Sequence, residues 1–413
     1  MDQTTLQNYA RLIARSGVNV QPGQTVIVYT EPTQLDFVEM LVEECYLAGA
    51  GKVETEFGFQ RLKKLHVKYQ SVESLGRVEA WEEERLRHRC QTLPAQIYLS
   101  SEDPDGLAGI DQEKQAKAQQ LRYPIVKPYH DKMENKYQWC IAAVPGIEWA
   151  RKVFPEMEEA ADEDVIEALW EAILRCARAD GADPVAAWKE HSEELHRRCD
   201  WLNSLKLRRL HYRSEQTGTD FSVGLLPQMR FCGGSEKLEG KELWYNPNIP
   251  SEEVFTSPRA GDAEGIVYAT RPLSYRGLLI EDFSIRFEKG RVAEVHAGKN
   301  EEALKTMVNM DEGASMLGEC ALVPYHSPIR ESGLLFYNTL FDENAACHLA
   351  LGMGFSSCLE NYEQYSLEEA RALGVNDSMI HEDFMIGSAD LRITGLTEDG
   401  REVPIFIDGG WAV

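Results

Sequence analysis

The chain has 413 residues, 43% hydrophobic and 27% charged, which is too long for one ordinary core and gives ample apolar material for two. Its formal net charge of -25 argues against nucleic acid and anionic membrane surfaces as partners, since both need clustered Lys and Arg. The nine cysteines are scattered with no CxxC pair, no run reaches the roughly 18 apolar residues of a membrane span, and the first twenty residues lack a signal-type apolar core, so a cytoplasmic protein with reduced thiols is expected.

Apolar residues at helical spacing predict a helix over 6–18, Gln21-Pro22-Gly23-Gln24 a turn, and the β-branched run 25–29 a strand. A second helix is predicted over 37–48, stopped by Gly49 and Gly51, and a second strand over 52–57. Strand-helix-strand order with short connections implies a parallel sheet with packed helices. Residues 96–100 and 137–144 read as further strands, and 163–179 and 184–205 as helices that close the first domain. After residue 207 the pattern changes to strands broken by Gly and Pro, at 210–212, 220–224, 265–269, 279–287 and 292–297, with a hairpin turn at Glu288-Lys289-Gly290. The expected fold is an α/β N-terminal domain with a parallel sheet over 1–195, followed by an α+β C-terminal metal-binding domain over 196–413. Nucleotide binding is not expected, because no GxGxxG or GxxxxGK[ST] follows a predicted strand.

The metal-type residues all lie in the second half. In Ile380-His381-Glu382-Asp383-Phe384, strand periodicity points His381 and Asp383 to one face and Glu382 to the other, although an HxD pair also occurs on ordinary surfaces. His348 sits among small and apolar residues, where it is either a buried structural imidazole or a ligand. Glu319, flanked by Gly318 and apolar residues, must face solvent, meet a cation or be protonated if it is buried. Glu253 follows Ser251 and Glu252 in what could equally be a helix N-cap with first-turn acids. Together these supply three carboxylates and two imidazoles, enough for two ions with one carboxylate bridging.

The segments Asn248 through Thr256, Phe336 through His348 and His381 through Gly387 resemble signature stretches of the aminopeptidase T and aminopeptidase S family of metallo-aminopeptidases. The resemblance extends along essentially the whole chain. It implies a two-domain, cytosolic, usually homodimeric exopeptidase acting on peptides with two divalent ions, Co²⁺, Zn²⁺, Mg²⁺ or Mn²⁺. It places the ligands on Glu253, Glu319, His348, His381 and Asp383, with Glu319 as the bridge. Glu252 and Glu319 are the candidates for the carboxylate that moves the proton. Phe355 departs from the family pattern, which has a Tyr there close to the metals, and a phenyl ring can neither bind metal nor donate to an oxyanion. Tyr362 or Tyr365 would have to reach the site to replace it, and His326 stands where an acid is expected. Two other readings follow: a weakly active or inactive relative that binds metal or peptide because of Phe355, and a thiol enzyme using Cys347 or Cys320 beside His348.

Overall fold

Val26, Ile27 and Val28 are β-branched and fully buried or nearly so, and the strand Thr25–Thr30 that they build lies inside a parallel sheet. The computed structural model describes residues 1–413, and in it this sheet runs Asn248–Ile249, Trp139–Ala143, Ala95–Ser100, Thr25–Thr30, Lys52–Phe57, all parallel. The helix Gln3–Leu12, continued by a π-helical turn at Ile13–Gly17, and the helix Leu35–Leu47 bury Tyr9, Leu12, Phe37 and Leu41. Later helices at Asp162–Cys176 and Pro184–Ser204 match the expected positions.

The chain divides into two units, Met1–Glu190 with Ser235–Pro250, and His191–Gly234 with Ser251–Val413. Where a single boundary near residue 195 was expected, the division falls at Glu190, and Ser235–Pro250 returns to the first unit because Asn248–Ile249 adds a strand beside Trp139–Ala143. The first unit is α/β with a parallel sheet, as expected.

The second unit is built on two antiparallel sheets. Nine strands make the larger, with Leu278–Glu288 and Arg291–Lys299 as its long hairpin. Lys289 and Gly290 in that turn have φ of 51° and 77°, the left-handed backbone that suits a two-residue hairpin loop. The smaller sheet has five strands in the order His381–Met385, His348–Gly352, Leu317–Leu322, Val254–Thr256 and Cys232–Gly233. It carries the candidate site.

Candidate metal centre

In an antiparallel sheet, directly opposed residues share a face, and so do residues two apart on one strand. Ala350 lies opposite Glu319 on one side and Asp383 on the other, so both carboxylates rise from its face. His348 precedes Ala350 by two, and His381 precedes Asp383 by two. Phe255 lies opposite Ala321, two residues along from Glu319, and the extended chain before Phe255 brings Glu253 to the same face. Across the strands, His381 meets Gly352 and His348 meets Ala321. The ligand-type residues thus stand over a floor of Ala and Gly that leaves room between them.

Glu319 owes its aim to a bulge. The register of Leu317–Leu322 against His348–Gly352 slips between Leu317 and Glu319, and Gly318 is the extra residue. A Cβ at Gly318 would lie 2.1 Å from the Met353 carbonyl oxygen and 2.4 Å from that of Gly352. Only glycine fits there.

The donor atoms fall into two groups, each within 4.8 Å: Glu253, Glu319 and His348, and Glu319, His381 and Asp383. Glu319 belongs to both. His348 Nε2 is 3.1 Å from a Glu253 oxygen, and His381 Nε2 is 3.1 Å from Glu319 Oε2 and 3.4 Å from Asp383 Oδ1. The other ring nitrogens explain the orientation: Nδ1 of His348 donates to the Ala346 carbonyl at 3.1 Å, and Nδ1 of His381 donates to the Met353 carbonyl at 2.8 Å. With each Nδ1 proton fixed in this way, a neutral ring presents a lone pair at Nε2 to the carboxylates. Asp383 Oδ1 is buried and accepts no hydrogen bond, although Nε2 of His381 and His348 stand 3.4 and 4.0 Å away. Lone pairs of nitrogen and oxygen that converge in a buried space need a cation among them.

The electrostatics report the same demand. Burial pushes Glu319 up to about 7, with Glu253 and Asp383 adding to the rise and His381 opposing it. Burial lowers His348, but Glu253, Asp383 and Glu319 outweigh it and raise the imidazole to about 9. His381 is raised well above its ordinary value because Asp383 and Glu319 outweigh burial in the same way. Asp383 is held low, because both imidazoles outweigh burial.

Sequence reading missed Glu343. It is buried, and its carboxyl is pushed far up by burial and by Asp383, Glu253 and Glu319. Asp383 takes a hydrogen bond from it. Glu343 lies in a short helix, Thr339–Glu343, whose Asp342 accepts the main-chain N–H of Phe336 at 2.9 Å and pairs with Arg271 at 3.2 Å. Glu252 is also buried, but its backbone N–H donates to Asn344 Oδ1 at 2.6 Å and its carboxylate lies 4.0 Å from His191 Nε2, outside both donor groups. The Phe355 ring packs 4.9 Å from the His381 ring and meets Phe255 edge-on at 5.6 Å. Tyr362 and Tyr365 instead pack on the cluster of Leu226, Leu359, Ala370 and Val375, and the His326 side chain is 80% exposed. The thiol alternative fails on chemistry, because burial pushes Cys347 up to about 12 and raises Cys320 further, and Cys347 Sγ donates to the Val323 carbonyl.

An N,O donor set with paired imidazoles, a carboxylate common to both groups and no thiolate suits divalent ions of the kind that metal-dependent hydrolases use. The chain belongs to the peptidase family described as thermophilic metalloprotease (M29), whose pattern it matches over residues 2–411. It is similar to Aminopeptidase AmpS of Bacillus subtilis (strain 168), with 40% identity over 408 residues and 98% of each chain covered. Aminopeptidase T of Thermus thermophilus is 39% identical over 409 residues, covering 99% of this chain and 98% of the relative. The solved structure of wild-type AmpT from Thermus thermophilus superposes with a TM-score of 0.87 at 37% identity, covering 99% of both chains. The protein is therefore an enzyme, a hydrolase of the metallopeptidase class, and the inactive-relative reading is not favoured.

Proposed function

We propose that the protein is an aminopeptidase that removes N-terminal residues from peptides at a two-metal site. The observation that carries this is Glu319, which is common to both donor groups, as a carboxylate shared by two ions would be. Glu253 and His348 would complete one position and His381 and Asp383 the other. Divalent ions such as Co²⁺, Zn²⁺, Mn²⁺ or Mg²⁺ would polarise the scissile carbonyl and acidify water there. Glu253, Glu319 and Asp383 supply the negative charge that such ions would offset, while Glu343, its carboxyl pushed far up, keeps its proton.

The chain's own groups supply the rest. The main-chain carbonyls of Ala346 and Met353 fix the two imidazoles, so their geometry is set before substrate arrives. Glu343 is our assignment for the proton carrier, ahead of Glu252, because its carboxyl lies against Asp383 within the cluster and its raised pKa suits it to hold a proton and pass it to the leaving amine. Carboxylate oxygens of the cluster also provide acceptors for the substrate's terminal ammonium, the group that separates exopeptidase from endopeptidase action.

Purified protein with Co²⁺ or Zn²⁺ should hydrolyse leucine p-nitroanilide, and EDTA should abolish this until metal is restored. Failure to turn over any amino-acid anilide or amide with any of the four metals, while metal still binds, would discard the reading. A cytoplasmic homodimer belongs to the same proposal, and light scattering on the eluted protein tests the dimer.

A further inference from the structure

A surface cavity of about 540 Å³ in the second unit brings two guanidinium groups and an imidazole together, with Arg271 paired to Asp342 at 3.2 Å and His326 standing 3.7 Å from Glu331. Its wall includes Arg271, Arg330 and His326, and Glu331 is its one acid, in a chain whose net charge is -25. Arg330 is held in place, with its guanidinium 3.9 Å over the Tyr325 ring and one N–H donating to the Tyr325 hydroxyl at 2.8 Å. A guanidinium has five such donors, so the fork keeps capacity for a carboxylate.

Two contacts tie this wall to the centre. Thr270 donates its N–H to the carbonyl of Met385, two residues beyond Asp383 on the same strand, at 2.8 Å. Arg271 donates to the Leu334 carbonyl at 2.6 Å and to Asp342, the residue before Glu343, at 3.2 Å. A short peptide is a zwitterion, with its ammonium at the end to be cleaved and its carboxylate at the other. A cluster of carboxylates and, on a neighbouring wall, the free donors of Arg330 offer one partner to each end.

We propose that this cavity binds the free C-terminal carboxylate of short peptide substrates, and so selects di-, tri- or tetrapeptides over longer chains. The inference rests on the aminopeptidase reading and adds the far end of the substrate to it. A carboxylate seated against guanidinium is favoured over the neutral amide in the same place by about tenfold.

The test compares kcat/KM for leucyl-glycine, leucyl-glycyl-glycine and leucyl-triglycine with their C-terminal amides. At one of these lengths the acid should exceed the amide about tenfold. Arg330→Gln should bring that ratio towards one, whereas Glu331→Gln should raise it. Calorimetric titration with the corresponding D-leucyl peptides reads the same ratio without turnover, so a variant or preparation without activity still gives an answer. Wild-type protein that hydrolyses leucine p-nitroanilide but shows equal acid and amide at every length overturns the cavity assignment alone. A ratio unmoved by both substitutions overturns it as well. Loss of anilide hydrolysis in metal-loaded wild type overturns the aminopeptidase reading instead.

Discussion

His348 and His381 each commit Nδ1 to a main-chain carbonyl, and this makes their two Nε2 atoms a matched pair. Asp383 Oδ1, buried without a hydrogen bond between them, is the atom with most to gain from a cation. Asp383→Asn keeps the shape and removes the charge, and it is expected to weaken metal binding by about a hundredfold or more while the fold survives. Metal content after dialysis, read beside circular dichroism, checks this. Phe355 supports the site by packing on the His381 ring and on Phe255. Phe355→Ala should cost about 2 kcal/mol in urea unfolding and also loosen metal binding, because the ring that backs His381 is gone.

Among the elements, those with a clean period were legible in the sequence. The alternation that put His381 and Asp383 on one face needed only the strand His381–Met385, and the β-branched run of Thr25–Thr30 announced itself in the same way. The helix Gln112–Met133 went unread because Pro124 and Pro128 look like breakers, yet both are accommodated within it. Glu343 was hidden for a different reason. Asp342-Glu343-Asn344 reads as a polar turn, and the partners that meet it in the interior, Arg271 on Asp342 and Glu252 N–H on Asn344, are distant in sequence. The return of Ser235–Pro250 to the first unit was equally silent, since a two-residue strand has no period to detect. The bulge at Gly318 gives this scale its own test. Gly318→Ala must push the Gly352 and Met353 carbonyls aside and so re-aim Glu319, at a cost of roughly 2–4 kcal/mol in stability and with a matching loss of metal affinity. Chemical denaturation and a metal titration on the same variant measure the two effects.

For the molecule as a whole, the cluster makes stability fall with pH in the absence of metal, and bound metal offsets that fall. In the metal-free protein Glu319 rises from 4.5 to about 7 and His348 from 6.5 to about 9, so the folded state holds protons more tightly than the unfolded chain does. The associated stability is present at low pH and is lost as pH climbs through about 4.5–7 for Glu319 and 6.5–9 for His348. Chelated protein should therefore melt at progressively lower temperature from pH 6 to 9. Metal has to displace those protons, so its affinity should rise over the same interval, and at a hundredfold excess over Kd it should add about 2.7 kcal/mol to the folded state. Calorimetric melting with EDTA and with Zn²⁺ at three pH values separates the two trends. A chelated sample whose melting temperature climbs with pH would contradict the assignment of these groups.

The side chains of Glu253, Glu319 and His348 are 8%, 6% and 1% exposed, whereas His381 keeps 26%. Solvent thus reaches the cluster from the His381 side. An ion held by Glu253 and His348 would therefore be slower to reach a chelator than one held beside His381, and removal of metal by EDTA should follow that order.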